Sequence, residues 1–140
     1  MNEQPIRVET EVRATLDAVW SAWNTPADIE RWNSASPDWH TPRAEVDLRE
    51  GGRFSSRMEA RDGSAGFDFT GTYTCVVPNA RIEYAMEDGR KVAVAFIDNG
   101  DGTVSVRETF DPEHTHAREQ QRAGWQAILD NFKRHVEREG

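Results

Sequence analysis

The stretch that decides the fold is residues 115–139, THAREQQRAGWQAILDNFKRHVERE. Its apolar residues recur at the three- and four-residue spacing that places side chains on one face of an α-helix. They are Trp125, Ile128, Leu129, Phe132 and Val136. The remaining positions, including Gln121, are mostly charged or amide residues and predict a solvent-exposed face. Because aromatic side chains each bury on the order of 150–250 Å², this helix requires a large apolar partner surface elsewhere in the chain.

The segments near the start of the chain predict one strand and two short helices. Residues 6–13 alternate between apolar and polar side chains, as a half-buried strand does. Residues 16–23 follow helical spacing, and Pro26 opens a second short helix because the first helical turn tolerates proline. Residues 32–42 are rich in serine, asparagine and proline, and we predict a loop there.

Six further strands are expected between that loop and the C-terminal helix. They are residues 43–49, 53–61, 66–77, 82–86, 92–96 and 104–110. Turn signals such as Asp62-Gly63 separate them, and such short connections imply antiparallel neighbours. The predicted fold class is therefore α+β, in a single domain spanning residues 1–140. A curved antiparallel sheet of six or seven strands wraps round the C-terminal helix, and the two short helices after the first strand close one end.

The composition argues against several classes of function. The formal net charge is -8 and no basic run is present, which disfavours nucleic acid or an anionic membrane surface as a partner. The single cysteine, Cys75, excludes an internal disulfide. His114 and His116 have no third metal ligand at a recognised spacing, and no apolar stretch approaches about 18 residues. We expect a cytoplasmic protein with no metal, no cofactor and no membrane insertion.

Several short motifs carry a resemblance to a known family. They are residues 18–20 (AVW), 25–26 (TP), Trp32, 47–54 (DLREGGRF), 71–73 (GTY) and 124–132 (GWQAILDNF). With this order of elements, the chain resembles the START-like (SRPBCC, helix-grip) superfamily, and within it the bacterial stand-alone homologues of the activator of heat-shock-protein-90 ATPase. The resemblance implies the helix-grip fold. It implies no single function, because members of the superfamily bind lipids, cyclise aromatic polyketides, confer antibiotic resistance or act as co-chaperones.

A curved sheet that grips a helix at its rim leaves space between the two, and small inner residues such as Ser56 and Gly71 enlarge it. We expect the inner face of the sheet and the facing side of the helix to bind a ligand. The predicted ligand-binding residues are Trp39, His40, Phe54, Met58, Phe67, Phe69, Tyr73, Tyr84, Met86, Val94, Phe96, Val106, Glu108, Trp125 and Leu129. Cys75 is expected on the same face as a buried thiol. Gly124, which costs about 1 kcal/mol relative to alanine in a helix, indicates either close helix–sheet approach or room for a ligand.

Glu108 is the sharpest candidate for chemistry, because strict alternation places it on the inner face between Val106 and Phe110. A buried, unpaired carboxylate has a raised pKa and can hydrogen-bond a ligand or act as a general acid or base. The alternatives are an ion pair, for example with an arginine, or a bulge that turns Glu108 outward. His40 is a second candidate, either as a polar anchor at the mouth of the cavity or as a solvated loop histidine.

Three functions follow from these observations. The leading hypothesis is a protein that binds a small hydrophobic or aromatic molecule, without catalysis. The second is a cyclase- or hydrolase-type enzyme with Glu108 and His40 as acid and base groups and Tyr73 or Tyr84 as hydrogen-bond donors. The third is a co-chaperone-like protein with a heat-shock-protein partner. A homodimer, formed through a sheet edge or the tryptophan-containing loop, is an open alternative for the assembly.

Overall fold

A computed structural model describes residues 4–139, which form seven strands and three helices. In chain order these are β1 (Ile6–Arg13), α1 (Leu16–Asn24), α2 (Pro26–Trp32), β2 (Trp39–Val46), β3 (Arg53–Ala60), β4 (Gly66–Val77), β5 (Arg81–Met86), β6 (Lys91–Asp98), β7 (Thr103–Phe110) and α3 (Arg118–Glu139). The strands build one antiparallel sheet in the order β1-β7-β6-β5-β4-β3-β2. The predicted α+β class, with two short helices after the first strand and a long C-terminal helix on a curled sheet, is confirmed.

Helix α3 turns its apolar stripe inward and packs along β1. Leu129 and Phe132 are fully buried, and Val136 is nearly so. They meet a layer of small branched side chains on the inner face of β1, β6 and β7. The members of this layer are Val8, Val12, Val92, Val94, Val104 and Val106. Branched residues suit such a layer because they pack closely on a pleated surface.

The prediction that Gln121 faces solvent is wrong. Gln121 is buried, and its side-chain amide hydrogen-bonds to the backbone just before α3. Its Nε2 donates to the carbonyl oxygens of Glu113 (3.1 Å) and His116 (2.9 Å). Its Oε1 accepts from the Glu113 N–H at 2.9 Å. Burial is tolerated because every polar atom of the amide has a hydrogen-bond partner.

Strand β2 begins at Trp39, so the predicted loop over residues 32–42 is too long at both ends. Trp32 ends α2 and is buried, with its indole Nε1 donating to the Ala22 carbonyl at 3.0 Å. Pro42 lies inside β2. This strand is at the edge of the sheet, and its ladder with β3 shifts register between His40 and Arg43. An outer strand and a bulge are the two places where a strand accommodates proline.

The prediction that Cys75 is a buried inner thiol is also wrong. The ladder between β4 and β5 shifts register between Tyr73 and Cys75, and a shift of one residue exchanges the two faces of a strand. Val76 therefore packs against the core, whereas Val77 is 46% exposed. Cys75 lies opposite the outward-facing Glu83 and is half-buried.

Two glycines that the sequence singles out have different roles. A Cβ built on Gly71 would lie 2.6 Å from Cε2 of Phe54, which is too close for two carbon atoms. The Phe54 ring can therefore pack against β4 at this point only because residue 71 is glycine. A Cβ on Gly124 would have no neighbour within 4 Å. Close approach of helix and sheet therefore does not require Gly124, and Gly124 does not line the pocket described below.

Candidate functional site

A pocket of about 290 Å³ lies on the inner side of the sheet, where β3, β4 and β5 face the helices. Aromatic and aliphatic side chains form most of its wall, and a few polar groups interrupt them. Its lining residues are Trp23, Asn24, Ile29, Trp32, Asn33, Val46, Phe54, Ser56, Met58, Phe67, Phe69, Tyr73, Ile82, Tyr84, Met86, Arg90, Glu108, Trp125 and Ile128.

Nine of the fifteen predicted ligand-binding residues line this pocket. They are Phe54, Met58, Phe67, Phe69, Tyr73, Tyr84, Met86, Glu108 and Trp125. Eight of them come from four strands because alternation repeats the same inward side on each strand. Trp125 comes from the opposite wall, on α3.

The other six predicted residues lie elsewhere. Val94, Val106 and Leu129 are fully buried in the core and do not line the pocket. Phe96 is 4% exposed, and the indole rings of α1 contact it edge-on. The sequence pattern correctly places all four on inward faces, but none of them lines the pocket as predicted. Strand alternation and helical spacing cannot tell a filled part of the core from an open part.

Trp39 and His40 belong to strand β2, not to a loop over the pocket mouth, and neither lines the pocket. Trp39 contacts the pocket-lining Phe67, with 6.0 Å between ring centroids. Trp39 borders a separate, more polar groove beside α3, together with Arg61 and Arg134. His40 pairs with Glu59 of β3, with 4.0 Å between Nε2 and Oε1. His40 and Glu108 therefore do not share the pocket.

The short helices supply part of the lining that the sequence prediction missed. The missed residues from other elements are Val46, Ser56, Ile82, Arg90 and Ile128. Trp23 and Trp32 form one wall, with ring centroids 4.9 Å apart. Both rings meet Phe132 edge-on, at 4.9 and 5.0 Å. The helical spacing of residues 16–23 places Trp23 on an apolar face, but only the packing of α1 and α2 over the sheet brings it to the pocket.

Aromatic rings on the sheet form the opposite wall. Phe54 contacts Tyr84 edge-on with 4.7 Å between ring centroids, and it meets Phe69 at 5.6 Å. Trp125 stacks on Phe110, with centroids 3.9 Å apart and an interplanar angle of 10°. Stacked and edge-on pairs are favoured by the charge distribution of aromatic rings, so these contacts fix the ring orientations around the space.

Glu108 is 6% exposed and belongs to the wall of the pocket. The two alternatives considered for Glu108, an ion pair and a bulge that turns it outward, are both wrong. Glu108 keeps the regular register opposite Val8 and Val94, so no bulge turns it outward. Within residues 4–139, no basic side chain pairs with it, and burial alone raises its pKa from 4.5 to about 8. The carboxyl is therefore mostly protonated at pH 7 and can donate a hydrogen bond.

Two tyrosines, Tyr73 and Tyr84, also line the pocket. Burial, and then the nearby Glu108, raise the pKa of Tyr84 well above its ordinary value. Burial, and then the charge of Asp47, raise the pKa of Tyr73 to about 12. Both hydroxyls stay protonated near neutral pH. The pocket thus offers neutral hydrogen-bonding groups set in an apolar wall.

The part of the chain that the structure describes contains no group of three or more His, Cys, Asp or Glu side chains that could hold a metal ion. In the same residues, no helix has the length and apolar character needed to cross a membrane.

The model of one protein family, described as "Activator of Hsp90 ATPase homolog 1-like protein", matches residues 13–137. The chain belongs to this family. A solution structure of an AHSA1-like protein from Aeromonas hydrophila is 52% identical, with a TM-score of 0.87, and the match covers 96% of this chain and 94% of that one. A Cytophaga hutchinsonii protein is 50% identical, with a TM-score of 0.83 and coverages of 96% and 93%.

The same fold is found in a protein of much lower sequence identity. A Nitrosomonas europaea protein has a TM-score of 0.82 at 17% identity, with 98% of this chain and 96% of that chain covered. At that identity the likeness concerns the fold alone. The comparison with curated proteins gives no match. The resemblance seen in the sequence is therefore confirmed at the level of family and fold.

Proposed function

We propose that this protein binds a small hydrophobic or aromatic molecule in the pocket between the sheet and the helices. The observation that carries the proposal is the wall itself, in which aromatic rings from β3, β4, α1, α2 and α3 surround about 290 Å³. Ligand sites have this character, with a mostly apolar wall and a few placed polar groups. The volume lies near the lower end of the range of roughly 300–1,000 Å³ that such sites span.

The polar groups support binding of a ligand that carries a hydroxyl or carbonyl group. The protonated carboxyl of Glu108 can donate one hydrogen bond and accept others, and the hydroxyl of Tyr84 can do the same. A ligand that hydrogen-bonded Glu108 would offset part of the cost of burying this side chain.

A cytoplasmic location is also part of the proposal. The absence of a nucleic-acid partner is part of it too, because the formal net charge is -8.

Binding without catalysis is favoured over the enzyme alternative. General acid–base chemistry of the predicted kind needs two groups that reach the same substrate. Glu108 lines the pocket, but His40, the second predicted acid–base group, does not. The co-chaperone alternative remains a prediction that concerns the outer surface, and a pull-down with purified heat-shock protein would test it.

A fluorescence titration with N-phenyl-1-naphthylamine, a neutral aromatic probe, tests the proposal. The deciding variant is Ser56→Leu, because Ser56 is a small buried residue in the wall of the pocket. A leucine there would occupy the space, and we expect the affinity for the probe to fall by about tenfold or more, the effect of losing on the order of 1.4 kcal/mol.

Ser55→Leu is the matched control, since Ser55 is the neighbouring residue on the outer face of β3 and does not line the pocket. It should leave the probe affinity unchanged. Both variants should unfold at temperatures close to that of the parent protein. If the parent does not bind the probe, or if both leucine variants weaken binding equally, the proposal fails.

A further inference from the structure

Among residues 4–139, Arg90 is the one basic residue in the wall of the pocket. It lies in the turn between β5 and β6, two residues before Val92, so the inward alternation of β6 extends to it. Its backbone is fixed in the hairpin, because its carbonyl oxygen accepts from the Met86 N–H at 2.8 Å. Its side chain is 28% exposed. The guanidinium therefore stands at the rim, where the apolar wall meets water.

The contacts of Arg90 leave most of its hydrogen-bonding capacity free. Nε donates to Oδ2 of Asp88 at 2.7 Å. A guanidinium has five N–H donors, and the four on the terminal nitrogens have no acceptor within residues 4–139. Asp88 thus orients the group through Nε and leaves the terminal fork open. This fork matches the two oxygens of a carboxylate or sulfonate.

Arg90 and Glu108 occupy separate points of the pocket. Glu108 lies opposite Val94 in the ladder, which is four residues beyond Arg90 along the chain. At about 3.3 Å per residue, these two positions are roughly 13 Å apart along the strand. The stacked rings of Phe110 and Trp125 stand in the interval, because Phe110 lies opposite Val92. An aromatic wall therefore separates a cation at the rim from a neutral carboxyl inside.

We propose that the ligand is an apolar or aromatic acid, whose anionic group binds the Arg90 guanidinium while its body lies against Trp125 and the sheet. This inference rests on the proposed function and adds the charge of the ligand to it. The formal net charge of -8 does not attract anions to the protein as a whole. Selectivity for an acid must therefore come from a local group, and Arg90 is the group in position.

A pair of probes isolates the contribution of the anionic group. N-phenyl-1-naphthylamine is neutral, and 8-anilinonaphthalene-1-sulfonate has the same ring system with one sulfonate. Removing the guanidinium with Arg90→Gln should weaken sulfonate binding by about tenfold or more, in line with charge-assisted hydrogen bonds of about 1.5–3 kcal/mol. Binding of the neutral probe should change by less than about twofold. Arg90→Lys keeps the charge but loses the fork, and should give an intermediate affinity for the sulfonate.

Arg49→Gln is the control. Arg49 also donates from Nε to an aspartate two residues earlier, Asp47, at 3.0 Å, but its side chain is 70% exposed and does not line the pocket. This change should alter neither affinity. In the unaltered protein, added salt should weaken binding of the sulfonate more than binding of the neutral probe, because salt screens the charge of Arg90.

The outcomes separate the two proposals. If neither probe binds the unaltered protein, the proposed function fails. If the neutral probe binds but Arg90→Gln leaves the sulfonate affinity unchanged, or lowers both affinities alike, only the role of Arg90 fails. If Arg90→Gln does not fold, Arg90→Lys decides the matter, because an unchanged affinity for the sulfonate would show that the fork is not used.

Discussion

The two halves of the sheet use their inner faces differently. On β1, β6 and β7, small branched side chains such as Val12, Val94 and Val104 are fully buried. Helix α3 packs on β1, and α1 packs on β6 and β7. On β3 and β4, large rings alternate with small inner residues such as Ser56, and Phe54 and Phe69 are only partly buried. Branched side chains form a low, even layer that a helix can approach. Rings stand further from the sheet and leave the space that forms the pocket.

Glu108 marks the border between the two halves. It belongs to β7 of the packed half, but its carboxyl reaches the pocket of the open half. One continuous sheet can therefore hold both a solid core and a cavity, provided that side-chain size changes across the strands.

Truncation of Phe132 should be the most destabilising change. Phe132 is fully buried and meets both Trp23 and Trp32. Phe132→Ala leaves a closed void, and we expect a loss of about 3–5 kcal/mol in the free energy of unfolding. Chemical denaturation at 25 °C measures it.

Phe69→Ala is the counterpart in the open half. Phe69 already borders the pocket, so its truncation enlarges an existing space, and we expect about 1–2 kcal/mol. Equal losses for the two phenylalanines would mean that the two halves are packed alike, which would contradict the division.

The pH dependence of stability should reveal the buried carboxyl at the border. The pKa of Glu108 is about 8 in the folded protein against an ordinary value of 4.5. Between these values the unfolded chain releases the proton while the folded protein keeps it. The stability contributed by this group therefore falls as pH rises, by about 1.4 kcal/mol for each pH unit. Below pH 4.5 and above pH 8 its contribution is constant.

Glu108→Gln should remove this slope. Relative to the unaltered protein, the variant should gain about 3 kcal/mol of stability between pH 5 and pH 7. Denaturation of both proteins at several pH values gives the difference directly. Parallel stability curves would show that Glu108 is ionised in the folded protein or has another partner.

The smallest effect is expected on the outer face of the same strand. Arg107 precedes Glu108 and points outward, with its Nε 3.2 Å from Oε2 of Glu9. Both side chains of this pair are about half exposed. Arg107→Gln should change the free energy of unfolding by less than about 0.5 kcal/mol and should leave probe binding unaltered. A loss above 1 kcal/mol would mean that the outer face also supports the border between the halves.

Much of the fold could be predicted from the sequence because the patterns are local. Helical spacing identified the inner stripe of α3, and alternation identified the inner faces of the strands, including that of Glu108. The exceptions are the register shifts in β2 and β4, which put Pro42 in a strand and turned Cys75 outward. A bulge depends on how two strands are paired, and alternation within one strand does not show it.

With the exceptions of Cys75 and Gln121, the sequence by itself determined which side chains face inward, because the periods of helix and strand fix the direction of each residue relative to its neighbours. Only the tertiary structure decided which inward positions are filled and which are open. Val94 and Met58 follow the same alternation, yet one lies in the solid core and the other lines the pocket. That outcome depends on where α3 lies across the sheet and on how the two short helices pack over the sheet. Both are set by contacts between segments far apart in the chain.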